Sequence, residues 1–488
     1  MSDQSLLQKY DNLLMDTGPA AIVLKHPLMP VEGAEAVIFP PTYAAPKGDG
    51  DQRPRYNLDA LEGNQAIACA IDSIGSQANR VEPLFKREKY KHLVPQILVM
   101  HGGGSTNLLD AGHRIADAII RFSELLVEIH NGFMAYGDGN PEPMAKLAPT
   151  SLVFGAWDSR GTQIKIPRLI NLRIDANDVE KRTRSAQYVP ATDYVGNGLI
   201  DEVDDSTGSD LGFAAVPASG QLGGVHVRGD IVRTGSVNLA TLQSLGNGSE
   251  PTDLQRYILG LALVSLTAFE NSAFTLRQGC QLVGHPDKPR TFTTVLASGE
   301  NVDFAITPAD ALGFATKAAG TFGVGIARTV AFDSVLANRI RDLWTTEATR
   351  ERLKAIAKLR PLTATELDRF EFGEKNPLQA VLEAVKRVKG SKKEPGKLPP
   401  KAKRGEPTVV SHDALLEIAT AIDGLLIDDT VDNDVKTWCS QIKQLINSDA
   451  DSHKTLKDIE TRLKEFKRAP ELAIAKAEDV VTPDGEDK

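Results

Sequence analysis

An apolar run, Ala66-Ile-Ala-Cys-Ala-Ile71, passes without a spacer into Asp72-Ser-Ile-Gly-Ser-Gln-Ala-Asn-Arg-Val-Glu-Pro-Leu-Phe85. No other feature constrains the fold of this chain as much. The run reads as a buried strand, and the residues after Asp72 read as a helix that opens at once. Ser73, Ser76, Gln77, Asn79 and Arg80 gather hydroxyl, amide and guanidinium groups around that helix start. Backbone N–H groups at a helix start lack intrahelical partners, and the helix dipole favours an anion there. Such a place suits a phosphate or a row of them. From the residues alone a second reading stands beside it: a capped surface helix with Arg80 paired to Glu82 or Asp72.

Further strands are expected at Gln96–Met100, Ser151–Trp157, Gly224–Val227 and Thr291–Leu296, and helices at about 75–90, 107–130 and 252–270. In the last, Leu254, Ile258, Leu261, Leu263 and Leu266 recur at near-helical spacing. Strands mixed with helices, separated by long gaps, point to an α+β sheet carrying large insertions. Residues 389–407 are rich in Pro, Gly and Lys and read as a linker that cannot build a core. Beyond it come three amphipathic stripes: Leu415, Ile418, Ile422, Leu425 and Leu426; Val435, Trp438, Ile442 and Leu445; Leu456, Ile459, Leu463 and Phe466. Three such stripes can close into a small helical bundle. The expected organisation is a core over 1–325, a helical segment over 326–388, the linker, a bundle over 408–468 and a disordered acidic tail over 469–488.

Several motifs occur in order. They are the strand and S-Q-A-N-R-x-E helix start; Asn107-Leu-Leu-Asp-Ala-Gly-His-Arg-Ile-Ala-Asp-Ala118; Ser151-Leu-Val-Phe-Gly-Ala-Trp-Asp-Ser159 with Lys165-Ile-Pro-Arg168; Arg233-Thr-Gly-Ser-Val-Asn-Leu239; and Leu276-Arg-Gln-Gly-Cys-Gln-Leu282. Together they resemble one CRISPR-associated family. It is the Cas-seven-type (Csb-one-like) backbone subunit of type I-U, or I-G, Cascade, within the RAMP superfamily. The resemblance spans roughly residues 56 to 283 and says little about the last 150. It implies a modified RRM-like (ferredoxin-like) sheet with protruding loops. It also implies a non-catalytic crRNA-binding protein that polymerises along its guide, with no cofactor. The partners it implies are adjacent copies, target DNA reached through the guide, a fused guide-processing subunit, a large subunit and a recruited helicase-nuclease. Recognition by shape, phosphate and 2′-hydroxyl suits a subunit that must accept any guide.

The formal net charge is −9, which argues against holding nucleic acid by bulk charge. The balance is uneven: residues 386–407 carry nine Lys or Arg against two Glu, whereas 408–488 are strongly acidic. RNA binding therefore needs local donors in a groove. The segment 158–184, with seven basic residues against four acidic, can supply them. Around its start Trp157, Arg160, Lys165 and Arg168 form an aromatic and basic cluster with Phe154. Phe154 and Trp157, three apart on an expected strand, point to opposite faces, so one belongs to the core. Arg228 and Arg233, flanking a Gly-rich stretch, are further candidates for RNA or a neighbouring copy.

The competing class is a metal-dependent nuclease or phosphohydrolase. It would use His113 with Asp110 and Asp117 on the 107–130 helix, or the acidic loop over 193–205. An ion pair on one helix face is the simpler reading of the first. The second lacks a ligand at its third calcium-loop position, Val195, and reads as a solvated loop. His101-Gly-Gly-Gly-Ser-Thr106 lacks the lysine of a phosphate-binding loop and reads as a mobile loop. Three distant cysteines, no long apolar run and no secretory signal fit a reducing cytoplasm and no membrane.

Overall fold

The structure is a computed structural model. It describes residues 6–45, 48, 53–60, 67–246, 250–269 and 273–372. In the C-terminal part it describes 381, 384–385, 415–416, 418–420, 422–423, 433–447, 454–459 and 461–462. Two compact units divide the chain, Met1–Ala337 and Asn338–Lys488.

The first unit is built on an antiparallel sheet. Its path runs Phe274–Arg277, Cys280–Gly284, Ala21–Pro30, Ile231–Asn238, Ile170–Ala176, Ile67–Asp72 and Leu58–Ala60, with Thr291–Val295 also paired to Ala21–Pro30. Period-two patterning sets its faces. In Ala21–Pro30 the buried positions are Ile22, Leu24, His26, Leu28 and Pro30, and in Ile231–Asn238 they are Ile231, Arg233, Gly235 and Val237. His26 and Arg233 stand opposite each other in the register.

Against this sheet lies Asp253–Thr267, buried on almost every side. Thr252 and Gln255 close a reciprocal capping box at its start. Pro308–Phe322 packs on it where Gly260 admits Ala315; a Cβ on Gly260 would stand 2.8 Å from the Ala315 Cα. This is the α+β class expected, with helices covering an antiparallel sheet.

Three local expectations are corrected. Ser151–Trp157 is no strand: Pro149–Phe154 is a helix, and only Ala156–Trp157 is extended, paired with Lys165–Ile166. Residues 107–130 are no single helix. They form short turns at Leu108–Asp110 and Arg114–Ala116, a four-residue helix at Ala118–Arg121, and then the start of Leu126–Gly137. Arg114 has φ 54, a left-handed conformation that interrupts any helix there. His101–Thr106 is a hairpin turn rather than a mobile loop, with Ile97–His101 paired to Gly104–Asn107.

Between Ile170–Ala176 and Ile231–Asn238 a long ribbon departs from the sheet: Val179–Tyr188 paired to Val216–Val227. Its tip, 189–215, carries the short helix Asp205–Leu211.

In the second unit residues from each of the three expected stripes meet. Leu415, Ile418, Ile422, Ile442, Leu456 and Ile459 share one apolar core with Cys439 and Ile446. Val381, Ala384 and Val385 belong to the same core. The linker over 389–407 and the tail over 469–488 lie outside the described residues.

Candidate nucleic-acid interface

Strand Ile67–Asp72 hands over to helix Ile74–Val81 through Ser73, whose hydroxyl accepts a hydrogen bond from the Ser76 N–H at 3.3 Å. Ser73 is thus the cap of this helix. Three of the polar residues around it turn inward or sideways into one network. Asp72, 1 % exposed, accepts from Gln77 Nε2 at 2.6 Å and from Arg80 Nε at 3.0 Å. Gln77 Oε1 accepts from Arg233 Nε at 3.1 Å, and Arg80 Nη2 donates to the Leu276 carbonyl at 3.1 Å. Gln77 and Arg233 are each 1 % exposed. Burial pulls the Arg233 pKa down, to about 10, and its guanidinium sits 5.3 Å from the centre of the Phe274 ring.

The placement of Gln77 and Arg233 among surface RNA contacts is therefore corrected: their side chains fasten the helix to the central strand. Arg80 is engaged in the same way, as in the capped-helix reading with Asp72 as its partner.

The outer face of the helix presents Gly75 and Asn79 to a cleft of about 900 Å³. Across from them the segment 155–168 supplies Trp157, Arg160, Lys165 and Arg168. Its shape has local causes. Phe154 ends its helix in the core at 0 % exposure. Gly155 then takes φ +79, and a Cβ there would stand 2.7 Å from the Arg168 Cγ. Trp157 pairs in register with Lys165, so the two project from adjacent strands. Between them the 158–164 loop is pinned by Asp158, which accepts from the Thr162 N–H at 2.7 Å and hydroxyl at 3.0 Å. Arg121 Nε lies 3.3 Å from the same carboxylate.

Sequence reasoning missed Arg114 as part of this site. It is 4 % exposed and its Nε meets Glu82 at 2.7 Å. Its other nitrogens donate to the Gly155 carbonyl at 3.3 Å and to Asn79 Oδ1 at 3.5 Å, so it ties the helix to the far wall. Burial pushes the Glu82 carboxyl up to about 7, with Arg114 opposing. A left-handed, buried arginine leaves no trace in a sequence pattern.

Among the described residues the cleft lining contains Arg114, Arg160, Lys165 and Arg168 with His113 and two asparagines, Asn79 and Asn171, and no carboxylate. Arg168 has its pKa lowered by partial burial and by Arg114 nearby. Trp157 is 59 % exposed, a bare ring beside these cations. Chemically, the cleft can neutralise phosphates and offer a stacking face.

Of the ten candidates, Asn79, Trp157, Lys165 and Arg168 come together here. Ser73 and Ser76 lie at the capped start of the same helix. Arg228 stands elsewhere, exposed at the root of the ribbon and bonded to Glu180 at 2.9 Å.

The nuclease constellation does not assemble as a helix face. Asp117 caps Ala118–Arg121 and accepts from the His113 N–H at 3.2 Å, while Asp110 pairs with Lys86. In the acidic loop Asp204 caps Asp205–Leu211 and Asp193 accepts from the Gly196 N–H at 2.8 Å, so both close turns of a solvated loop. Among the described residues no group of three His, Cys, Asp or Glu is placed to hold a metal ion. Nor is any helix among them long and apolar enough to cross a membrane.

Residues 22–181 match the model of a family described as CRISPR-associated protein GSU0053 (Cas_GSU0053). No curated protein matches the chain. The matched segment contains the capped helix, Arg114 and the whole 155–168 wall of the cleft.

Proposed function

We propose that this protein is a non-catalytic crRNA-binding backbone subunit of a CRISPR Cascade surveillance complex of type I-U (I-G), acting in the cytoplasm in antiviral defence. Several copies line the guide, each gripping a short stretch of its sugar-phosphate chain and presenting the bases to target DNA. The fused guide-processing subunit, the large subunit and the helicase-nuclease are its partners in that complex. One observation carries the reading. A chain of net charge −9 keeps a basic cleft, lined by no carboxylate among the described residues and with a bare tryptophan on its rim, within the segment matched by the CRISPR-associated family. Phosphate contacts without base-edge readout are what a guide-independent grip requires.

The test is the Lys165→Ala/Arg168→Ala double variant. Removing one cation that neutralises a single-strand phosphate lowers the salt slope of binding by about 0.7. For two such cations the expected result is a fall of about 1.4 in that slope and the loss of most co-purifying RNA, with the melting temperature unchanged. RNA content and salt slope equal to those of the unaltered chain would overturn the reading.

A further inference from the structure

The cations of the cleft stand in front of a buried acid. Glu82 follows the helix Ile74–Val81 directly and is 1 % exposed. Carboxylates are seldom buried this far unless paired. Its Oε2 meets Arg114 Nε at 2.7 Å, while its Oε1 has no hydrogen-bond partner among the described residues. Arg114 reaches it from a backbone with φ 54, a conformation that residues bearing a Cβ seldom adopt. One guanidinium therefore has the ion pair on one side, and on the other the Gly155 carbonyl, Asn79 and the cleft.

The other elements around Glu82 bring little opposing charge. The Leu108–Asp110 turn presents Asp110, which is paired with Lys86. Helix Pro149–Phe154 presents the buried, uncharged Thr150. In the turn Lys91–Leu93, Lys91 is held by Glu88 and His92 by Thr316, and on the preceding helix Arg80 is held by Asp72. Burial pushes the Glu82 carboxyl up to about 7, with Arg114 opposing, so both of its forms are populated near neutral pH. On the cleft side the Arg114 charge bears on Arg168, whose pKa is lowered by partial burial and then by Arg114. An ionised Glu82 offsets the Arg114 charge, and a protonated one leaves it to act on the cleft. In an interior of low dielectric that difference carries beyond contact distance.

We propose that Glu82 is a positioning residue for the RNA grip, acting through Arg114: ionised, it withholds that guanidinium's charge from the cleft, and protonated, it releases the charge to a bound phosphate. The inference rests on the RNA reading above and adds a proton to it. A phosphate held on the cleft side of Arg114 repels the Glu82 carboxylate and favours its protonated form. RNA binding then takes up a proton at Glu82, and by linkage the affinity for RNA rises as pH falls.

The test titrates the full-length chain, freed of co-purifying RNA, with a single-stranded RNA of mixed sequence at constant salt. Binding is expected to be about threefold to tenfold tighter at about pH 6 than at about pH 8, which corresponds to a Glu82 pKa raised by half to one unit in the complex. His113 also lines the cleft, and imidazoles change charge near neutral pH. His113→Gln is therefore measured beside Glu82→Gln. The first should keep most of the pH dependence. The second should lose most of it and hold the low-pH affinity throughout. Calorimetry in two buffers of different ionisation heat counts the proton directly, and about a quarter to a half of a proton per chain is expected near pH 7.5. That count in His113→Gln decides the matter even if Glu82→Gln fails to fold, and its absence there overturns the inference. A purely structural Glu82 would lower the melting temperature of Glu82→Gln and leave the pH dependence of RNA affinity as it was; that result, or RNA binding by the unaltered chain that is flat with pH, also overturns it. If the unaltered chain binds RNA at no pH, it is the crRNA-binding reading that fails.

Discussion

His26 and Arg233 face each other on adjacent strands, both turned to the buried side of the sheet. Burial, and then the charges of Arg233 and Arg290, hold the His26 pKa down at about 4 against an ordinary 6.5. Between those values the unfolded chain binds the proton and the folded chain does not. The contribution is therefore fully present above pH 6.5 and is lost as pH falls through 4. We expect the stability difference between the unaltered chain and His26→Gln to shrink by up to about 3 kcal/mol between pH 7 and pH 4. Urea titrations across that range check it, and a difference independent of pH contradicts it. Arg233 also shows how much a residue discloses in sequence. In Ile231-Val-Arg-Thr-Gly-Ser-Val237 it shares the parity of Ile231, Gly235 and Val237, and that alternation already places it on the inner face. Gln77 offers less of a hint, because its burial also depends on Arg233, 156 residues away, and pairings between distant residues have no local signature.

At the scale of elements, the strand-to-helix passage at residue 72 and the helix after Pro251 are legible. Both combine a cap with an apolar pattern spanning several turns or a whole strand. The stretch 149–157 misleads because Leu152, Val153 and Phe154 are apolar in either state. Pro149, at the first position of a helix, is the sign that decides between them. What shapes the cleft is the exit from that helix. Gly155 sits at φ +79, and a Cβ would also approach the Arg168 backbone nitrogen and the Ile166 carbonyl oxygen to 3.1 Å each. Gly155→Ala is expected to cost about 1–3 kcal/mol of stability, the range for a strained backbone site. It should also push Arg168 aside, so that RNA affinity falls beyond what the reduced stability explains. Thermal melts set beside RNA titrations separate the two effects. Unchanged RNA affinity in a folded variant would mean that Arg168 tolerates the displacement.

For the whole molecule, the expected organisation sets a core over 1–325 beside a helical segment, a linker and a bundle, and the structure divides the chain into two compact units at Ala337/Asn338. The cleft lies within the first. The apolar stripes beyond 408 announce a bundle, but not that Val381, Ala384 and Val385, on the near side of the Pro- and Lys-rich stretch, share its core. Stripes report which face is apolar and leave open which other segment covers it. A truncation placed at that stretch therefore cuts through the second unit's core. A chain ending at residue 388 keeps three apolar residues whose partners are gone. A chain ending at 372 keeps none of them. Exposed contiguous apolar surface drives association, so the 1–388 chain should bind severalfold more of a hydrophobic dye than the 1–372 chain and aggregate at lower concentration. Both should keep the RNA bound at the cleft. Equal dye binding by the two chains would show that Val381, Ala384 and Val385 find other cover once the bundle is removed. Loss of RNA from both would place part of the grip in the second unit, and the first unit's cleft would then account for only a fraction of the affinity.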